Sequence, residues 1–286
     1  MIAGAQKAGT TSLSGYLGQH PAVVENRQRE MAYFSRDLLY EKGYETAFRR
    51  YYPDGIEEGQ MVLAKNVDVM YDETSLQRLH QHNPSCRIIV SLRDPVERAY
   101  SAYWYMRRVG REAAGSFEEA IASASGSAQD ETNFFGDYLN RGRYASQIKR
   151  LRETFGAKQV HVLLLRELKE QPERTVREIF DVIGVSSVYT PRFERRRNAS
   201  KRARSETFAR MMASIKGSTS TLKRLVRSAI PNRWAQDLRQ MMEWANEKEF
   251  SPPPMPDEVR SRLAKFYRGP NRKLAGMIEK DISHWT

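Results

Sequence analysis

Six residues near the N-terminus, Gly4-Ala-Gln-Lys-Ala-Gly9, have the glycine spacing of a backbone loop that wraps an anion. Met1-Ile-Ala before them read as the end of a short buried strand, and Leu13, Tyr16 and Leu17 after them recur at helical spacing. A strand, a glycine loop and a helix in that order aim backbone N–H groups and the positive end of a helix dipole at one point. The placing of the polar residues narrows the chemistry. A nucleoside triphosphatase puts Lys and then Ser or Thr directly after the second glycine, the lysine for the β- and γ-phosphates and the hydroxyl for Mg²⁺. Here Lys7 precedes Gly9, and Thr10, Thr11 and Ser12 follow it. That order suits a 5'-phosphate carrying a group to be displaced, with no metal bridging two phosphates. The same residues also make a tight glycine turn with a solvated lysine.

The elements that would position this loop are legible as apolar runs. Val62-Leu63-Ala64 precedes Lys65; Ile88-Ile89-Val90-Ser91-Leu92 stops at Arg93-Asp94-Pro95, and Val160 to Leu165 leads through Pro172 to a helix with Val176, Ile179, Phe180 and Ile183 aligned and Gly184 at its end. Continuous β-branched and leucine runs alternating with amphipathic helices predict an α/β fold: a P-loop-like parallel β-sheet flanked by helices on both faces. Past Gly184 the pattern turns helical and basic. Phe208, Met211, Met212 and Ile215 form one stripe, Trp234, Leu238, Met241, Met242 and Ala245 a second, and Val259, Leu263 and Phe266 a third. We expect one domain over residues 1–286 with a helical insertion at about 206–254.

Two further segments turn the loop into a family resemblance. Lys7-Ala8-Gly9-Thr10-Thr11 resembles the 5'-phosphosulfate loop of sulfotransferases that use 3'-phosphoadenosine 5'-phosphosulfate (PAPS), and Arg87 to Tyr103, RIIVSLRDPVERAYSAY, resembles the 3'-phosphate segment of that family. The resemblance extends to the branch containing the heparan sulfate 3-O-sulfotransferases and many soluble bacterial sulfotransferases. Arg29-Glu30-Met31-Ala32-Tyr33-Phe34 is similar to a family segment whose glutamate is the base. Lys65-Asn66-Val67 stands where relatives have lysine, a small residue and proline, and Ser200-Lys201-Arg202-Ala203-Arg204 resembles the loop that closes over the nucleotide.

The resemblance implies a sulfotransferase that transfers the sulfuryl group of PAPS to a hydroxyl, with an amine as the second choice, and releases 3'-phosphoadenosine 5'-phosphate. It implies Glu30 as general base, Lys7 at the leaving oxygen and Lys65 at the sulfonate or acceptor. The donor would be held by Gln6, Lys7, Ala8, Gly9, Thr10, Thr11, Ser12, Arg93, Ser101, Ser200, Lys201, Arg202 and Arg204. Arginine offers phosphate a two-pronged fork and serine a short donor. Tyr33, Phe34, Asp68, Tyr71 and Tyr105 would line the acceptor, which is a glycan, a lipid or a secondary metabolite.

Rival readings of these residues stay open at this point. Asp94 could cap a helix with Arg98 in a surface pair, or end a strand as a Mg²⁺ ligand in a kinase that uses Mg-ATP, although Arg93 beside it weakens a cation site. Asp68 and Asp37 are second candidates for the base. His20 is the histidine nearest the loop and also suits a structural role; His80, His82, His161 and His284 show no metal-ligand spacing, so no metal is expected.

Composition bounds what remains. The 286 residues carry 47 Lys and Arg against 35 Asp and Glu, a net charge of +12. Twelve basic and two acidic residues fall between Pro191 and Ser228. Such a balance favours an anionic partner. It allows peripheral contact with a membrane surface, a solvated basic face, or a nucleic-acid-binding protein, which ranks last because it rests on charge alone. With 40% hydrophobic residues and no run approaching twenty apolar positions, the sequence excludes an integral helical membrane protein. About three quarters of the chain's surface is buried on folding at this size, so no staple is needed. Cys86 is the one cysteine, which excludes an internal disulfide and fits a reducing compartment. No basic segment followed by a long apolar run opens the sequence, and we expect a cytoplasmic protein.

Overall fold

The computed structural model describes residues 1–124, 137–193 and 252–285, together with the backbone of 201–203 and 247–249. These residues fall into two compact units, Met1–Ala99 with Asn140–Arg197 and Arg260–Thr286, and Tyr100–Leu139 with Asn198–Val259.

The first unit contains the strands β1 (Ile2–Gly4), β2 (Val23–Glu25), β3 (Met61–Leu63), β4 (Ile88–Leu92) and β5 (Val160–Leu164). β1, β4 and β5 form a parallel sheet in the order β1-β4-β5, and β2 pairs with β3, also in parallel. A parallel bridge between Ile2 and Lys65, with Ile2 N–H donating to Ala64 O (2.8 Å) and Asn66 N–H to Ile2 O (3.0 Å), carries the chain after β3 alongside β1. The strand at Val23–Glu25 has only three residues and no distinctive sequence signal, and its register with Met61–Leu63 is what defines it.

Alternation along β4 feeds two cores. Ile88, Val90 and Leu92 pack with α4 (Glu73–His82), with α7 (Tyr144–Phe155) through Ile148 and Leu151, and with Leu274. Ile89 packs with Leu13 and Leu17 of α1 (Thr10–Leu17), Leu168 of α8 (Leu165–Glu170), and Val176, Ile179 and Phe180 of α9 (Pro172–Ile183). Helices therefore cover both faces of the sheet, and each fully buried aliphatic side chain of β4 contributes about 1.5–3 kcal/mol. Pro172 occupies the first turn of α9. Gly184 ends it at φ 81°, a left-handed conformation that lets Gly184 and Val185 N–H groups reach back to Phe180 O.

Two expectations need correction. Arg98, placed in a surface pair under the capping reading, is fully buried at 0% exposure. On α10 (Asp257–Ala275) the third apolar stripe runs through Val259, Leu263 and Tyr267, while Phe266 is 37% exposed; a four-residue step holds the buried face better than the three-residue step to Phe266.

In the second unit, the later part of α5 (Pro95–Arg108) and α6 (Phe117–Ala124) gather Tyr103, Phe117 and Tyr138 into an aromatic cluster, and Tyr138 donates its hydroxyl proton to Glu112 Oε2 (2.6 Å). Lys201–Ala203 and Glu247–Glu249 pair as antiparallel strands β6 and β7, with Lys201 opposite Glu249. The two apolar stripes at 208–215 and 234–245 lie outside the described residues.

Candidate active site

β1 ends at Gly4, where the backbone lies against Met70: a Cβ on Gly4 would sit 2.6 Å from Met70 Sδ. The chain then turns through Ala5 to Gly9 into α1. Lys7, at φ 67°, and Gly9, at φ 80°, are both left-handed. Gly9 adopts this conformation without cost, whereas a lysine there is strained and is held by its surroundings. The surroundings are the next strand. Ala5 N–H donates to Ser91 O (2.7 Å), the Ser91 hydroxyl donates to Ala8 O (2.6 Å), and Arg93 Nη1 reaches Lys7 O (3.5 Å).

Gly9 offers α1 no side-chain cap, so the helix starts with Thr10, Thr11 and Ser12 carrying hydroxyls beside first-turn amides. Thr10 is buried and Thr11 and Ser12 are half-buried. Gln6 is 9% exposed and its Oε1 is buried with no hydrogen-bond partner among the described residues.

A second group forms where the chain after β3 passes beside β1. Lys65 is 2% exposed; its N–H donates to Asn26 Oδ1 (3.0 Å) and its carbonyl accepts from Met31 N–H (2.8 Å). The ammonium Nζ of Lys65 lies 2.7 Å from Glu30 Oε1, and Val67 N–H donates to Glu30 Oε2 (3.2 Å). Glu30 keeps 35% of its side-chain exposure. Burial pushes its carboxyl above the ordinary value, Lys65 and the Val67 amide pull the other way, and Asp68 adds to the rise. The Glu30–Lys65 pair thus places a base of raised proton affinity against a desolvated cation.

Asp68 is itself paired, with Arg141 Nη2 3.0 Å from its Oδ1. Arg141 is 3% exposed, its guanidinium lies 4.5 Å over the Tyr71 ring, and burial lowers its pKa while Asp68 raises it. Arg93 makes an ion pair with Glu97 (3.3 Å), which also holds Arg260 (2.7 Å), and the Tyr144 hydroxyl donates to Arg93 O (2.9 Å).

The structure thus gathers Gln6, Lys7, Ala8, Gly9, Thr10, Thr11, Ser12 and Arg93 around one loop, sets Lys65 and Asp68 by the Glu30 carboxylate, and leaves Tyr71 against Arg141, the partner of Asp68. Tyr33 and Phe34 lie in an aromatic cluster with Tyr40 and Tyr44, at 6% and 2% exposure. Ser101 and Tyr105 belong to the second unit, where Tyr105 has the Arg108 guanidinium 5.1 Å over its ring. Lys201 and Arg202 are in β6, while Ser200 and Arg204 lie outside the described residues.

The rival bases have other partners. Asp37 is exposed and paired with Arg78 (2.6 Å), and His20 accepts from Ala22 N–H and packs on Phe180 and Tyr189. Asp94 Oδ1 accepts from the N–H groups of Val96 (2.8 Å) and Glu97 (3.3 Å), the geometry of a helix cap.

Ser91, Asn26, Asn66 and Arg141 were not singled out as site residues from the sequence. Ser91 had a signal, a hydroxyl inside an otherwise apolar strand. Asn66 stood in the Lys65-Asn66-Val67 segment, but nothing there showed its bonds to Met31 and Ser35, and Asn26 and Arg141 had no signal, because these partners are 31 to 73 residues away in the chain.

Among the described residues, no three His, Cys, Asp or Glu side chains form a group that could hold a metal ion, and no helix is long and apolar enough to cross a membrane.

A family model described as the sulfotransferase domain matches residues 1–267. The chain is 27% identical over 195 residues to the bifunctional heparan sulfate N-deacetylase/N-sulfotransferase 4 of Mus musculus, covering 66% of this chain and 22% of that protein. It is 33% identical over 103 residues to the heparan sulfate glucosamine 3-O-sulfotransferase 5 of Mus musculus, covering 36% of this chain and 29% of that one. The chain therefore spans less than a third of the length of either relative. In fold it is similar to the crystal structure of a sulfotransferase from Alicyclobacillus acidocaldarius, with a TM-score of 0.72 and 24% identity, covering 99% of this chain and 96% of the other.

Proposed function

The chain belongs to the sulfotransferase family, and on that footing we propose that it transfers the sulfuryl group of PAPS to a hydroxyl or amine of a glycan, lipid or secondary-metabolite acceptor. The observation that carries this reading is the Glu30–Lys65 pair at 2.7 Å, with Lys65 bridged to the strand leading into the anion loop.

The residues suit a 3',5'-bisphosphate nucleotide. Lys7, three consecutive hydroxyls and an uncapped helix start offer donors to a 5'-phosphate. The unpaired buried end of Gln6 is satisfied when its amide turns the NH₂ toward an anion. Arg93, at the end of β4, offers charge and a two-pronged fork to a 3'-phosphate. When bound, PAPS supplies a sulfuryl group whose bond to the 5'-phosphate oxygen breaks as the acceptor's oxygen or nitrogen bonds to sulfur.

The chain's own residues position the reactants and balance charge. Lys7 and the loop amides stabilise the negative charge that builds on the 5'-phosphate, the contribution expected of preorganised donors in a partly desolvated site. Glu30 takes the acceptor's proton, and burial keeps its proton affinity closer to that task than an exposed glutamate's would be. Lys65 holds the carboxylate in place and brings a positive charge to the transferring group. Asp68, beside Glu30, and Tyr71, against the Arg141 guanidinium that pairs with Asp68, would meet the acceptor.

The test has two steps. Thermal stabilisation by 3'-phosphoadenosine 5'-phosphate that survives EDTA and is lost in Arg93→Ala supports the donor site, because a ligand bound to the native state alone raises the Tm by mass action. Stabilisation by ATP with Mg²⁺ alone overturns it and favours a kinase that uses Asp94. Radiolabelled PAPS offered with glycan, lipid and small aromatic acceptors then identifies the acceptor class.

A further inference from the structure

We infer that Asn66 is a positioning residue for Glu30: its buried carboxamide ties the segment carrying Glu30 to the turn whose two ends hold the Glu30 carboxylate. The inference rests on the reading of Glu30 as the base. Asn66 is 1% exposed. Its Nδ2 donates to Met31 O (3.0 Å) and to Ser35 Oγ (2.8 Å), and its Oδ1 accepts from Asp68 N–H (3.0 Å). Both donor hydrogens and one acceptor position are thereby used.

The bonds gain their meaning from what flanks them. Lys65, just before Asn66, holds Glu30 Oε1, and Val67, just after it, holds Glu30 Oε2. Met31, just after Glu30, receives the Asn66 amide on its carbonyl and gives its N–H to Lys65 O (2.8 Å). Residues 30–31 and 65–67 are thus fastened face to face, with the Asn66 side chain spanning the join. The backbone of Asn66 is anchored independently, its N–H donating to Ile2 O (3.0 Å), so the turn is referenced to the strand that enters the anion loop. A carboxylate whose two oxygens are held this way keeps one orientation toward an acceptor proton.

Without the carboxamide, Met31 O and Asp68 N–H lose partners, and the turn is free to move relative to Glu30. The charged groups that face Glu30 are Lys65 and Asp68, with Asp68 paired to Arg141. Burial and Asp68 raise the proton affinity of Glu30, and only Lys65 and the Val67 amide oppose them. Loosening the turn weakens the opposing pair.

The test is a ¹³C NMR titration of the Glu30 carboxyl in the full chain, assigned with Glu30→Gln, which needs no acceptor. Asn66→Ala removes all three bonds without adding charge, and its midpoint is expected to rise by about one pH unit. Asn66→Ser retains one hydroxyl and is expected to shift the same way by less; it decides the matter if the alanine variant does not fold. Stabilisation by 3'-phosphoadenosine 5'-phosphate is expected to match wild type in either variant, because the nucleotide loop is untouched. A midpoint equal to wild type in a folded variant, whatever its Tm, assigns Asn66 a purely structural role and overturns the inference. Failure of the function reading looks different: the wild-type chain would not bind the bisphosphate, or Glu30→Gln would retain full transfer.

Discussion

The hydroxyl of Ser91 donates to the carbonyl of Ala8 at 2.6 Å, and the carbonyl of Ser91 accepts the N–H of Ala5 at 2.7 Å. One fully buried residue of β4 therefore fastens both sides of the loop that leads from β1 to α1. A hydroxyl in the middle of an apolar strand needs a partner, and the loop supplies it. The loop's shape is thus set by its neighbour strand as much as by its own glycines.

Ser91→Ala is expected to lower stability by about 1 kcal/mol, since it leaves a buried carbonyl without its donor. Affinity for 3'-phosphoadenosine 5'-phosphate should fall with it as Ala8 and the adjoining amides lose their brace. Calorimetry on the variant checks both; wild-type affinity would show that the loop holds its shape unaided.

The raised proton affinity of Glu30 has a signed consequence for pH. With Glu30 as the proposed base, transfer would need the ionised carboxylate, and activity should then fall on the acid side at a pH above the ordinary glutamate value. Stability runs the opposite way: the folded chain holds the Glu30 proton more tightly than the unfolded chain does, so this group's contribution is present at low pH and is lost as pH rises through the folded value. Glu30→Gln cannot titrate. Denaturant melts of the two proteins across pH should show the difference between them narrowing, and then reversing in sign or flattening, over that window alone.

Arg141 and Asp68 are expected to behave as a unit. Arg141→Met leaves Asp68 beside Glu30 without its counter-charge, which should cost about 3–5 kcal/mol. Adding Asp68→Asn should recover much of that loss, because the double variant buries no unpaired charge. Urea melts of the four proteins in the cycle test the coupling; additive losses would mean the two side chains act separately.

Gly9 and Gly4 are predicted to fail for different reasons when changed to alanine. Gly9 is left-handed at φ 80°, a conformation that costs an alanine about 1–2 kcal/mol. The 2.5 Å approach of its Cβ to Leu165 Cδ1 is the smaller part, because that side chain can turn away. At Gly4 the obstacle is Met70, whose Cβ would lie 2.9 Å from the new methyl group. Trimming Met70 to alanine removes Sδ, at 2.6 Å, and Cγ but leaves Cβ in place, so it should restore only part of the stability lost in Gly4→Ala. Trimming Leu165 should restore little of that lost in Gly9→Ala, and thermal melts of the double variants separate the two cases.

What could be read without coordinates was local. The glycine spacing of residues 4–9, the apolar run of Ile88–Leu92, the proline and glycine bounding Pro172–Ile183 and the placing of Glu30 before an aromatic pair are all set within a few residues of chain. The physics that reveals them, backbone freedom, strand hydrophobicity and helix ends, acts over the same short range. The environment of Glu30 was decided elsewhere. Its two oxygens are held by residues 35 and 37 positions away, its neighbouring carboxylate is balanced by an arginine 73 positions beyond that carboxylate, and the backbone of its lysine partner is pinned by Asn26, 39 positions from Lys65. An asparagine or an arginine reads alike in sequence whether it is solvated or buried in a network. Only the bridge that lays the chain after β3 alongside β1 brought these residues together, because hydrogen bonds and desolvation depend on distance in space rather than along the chain.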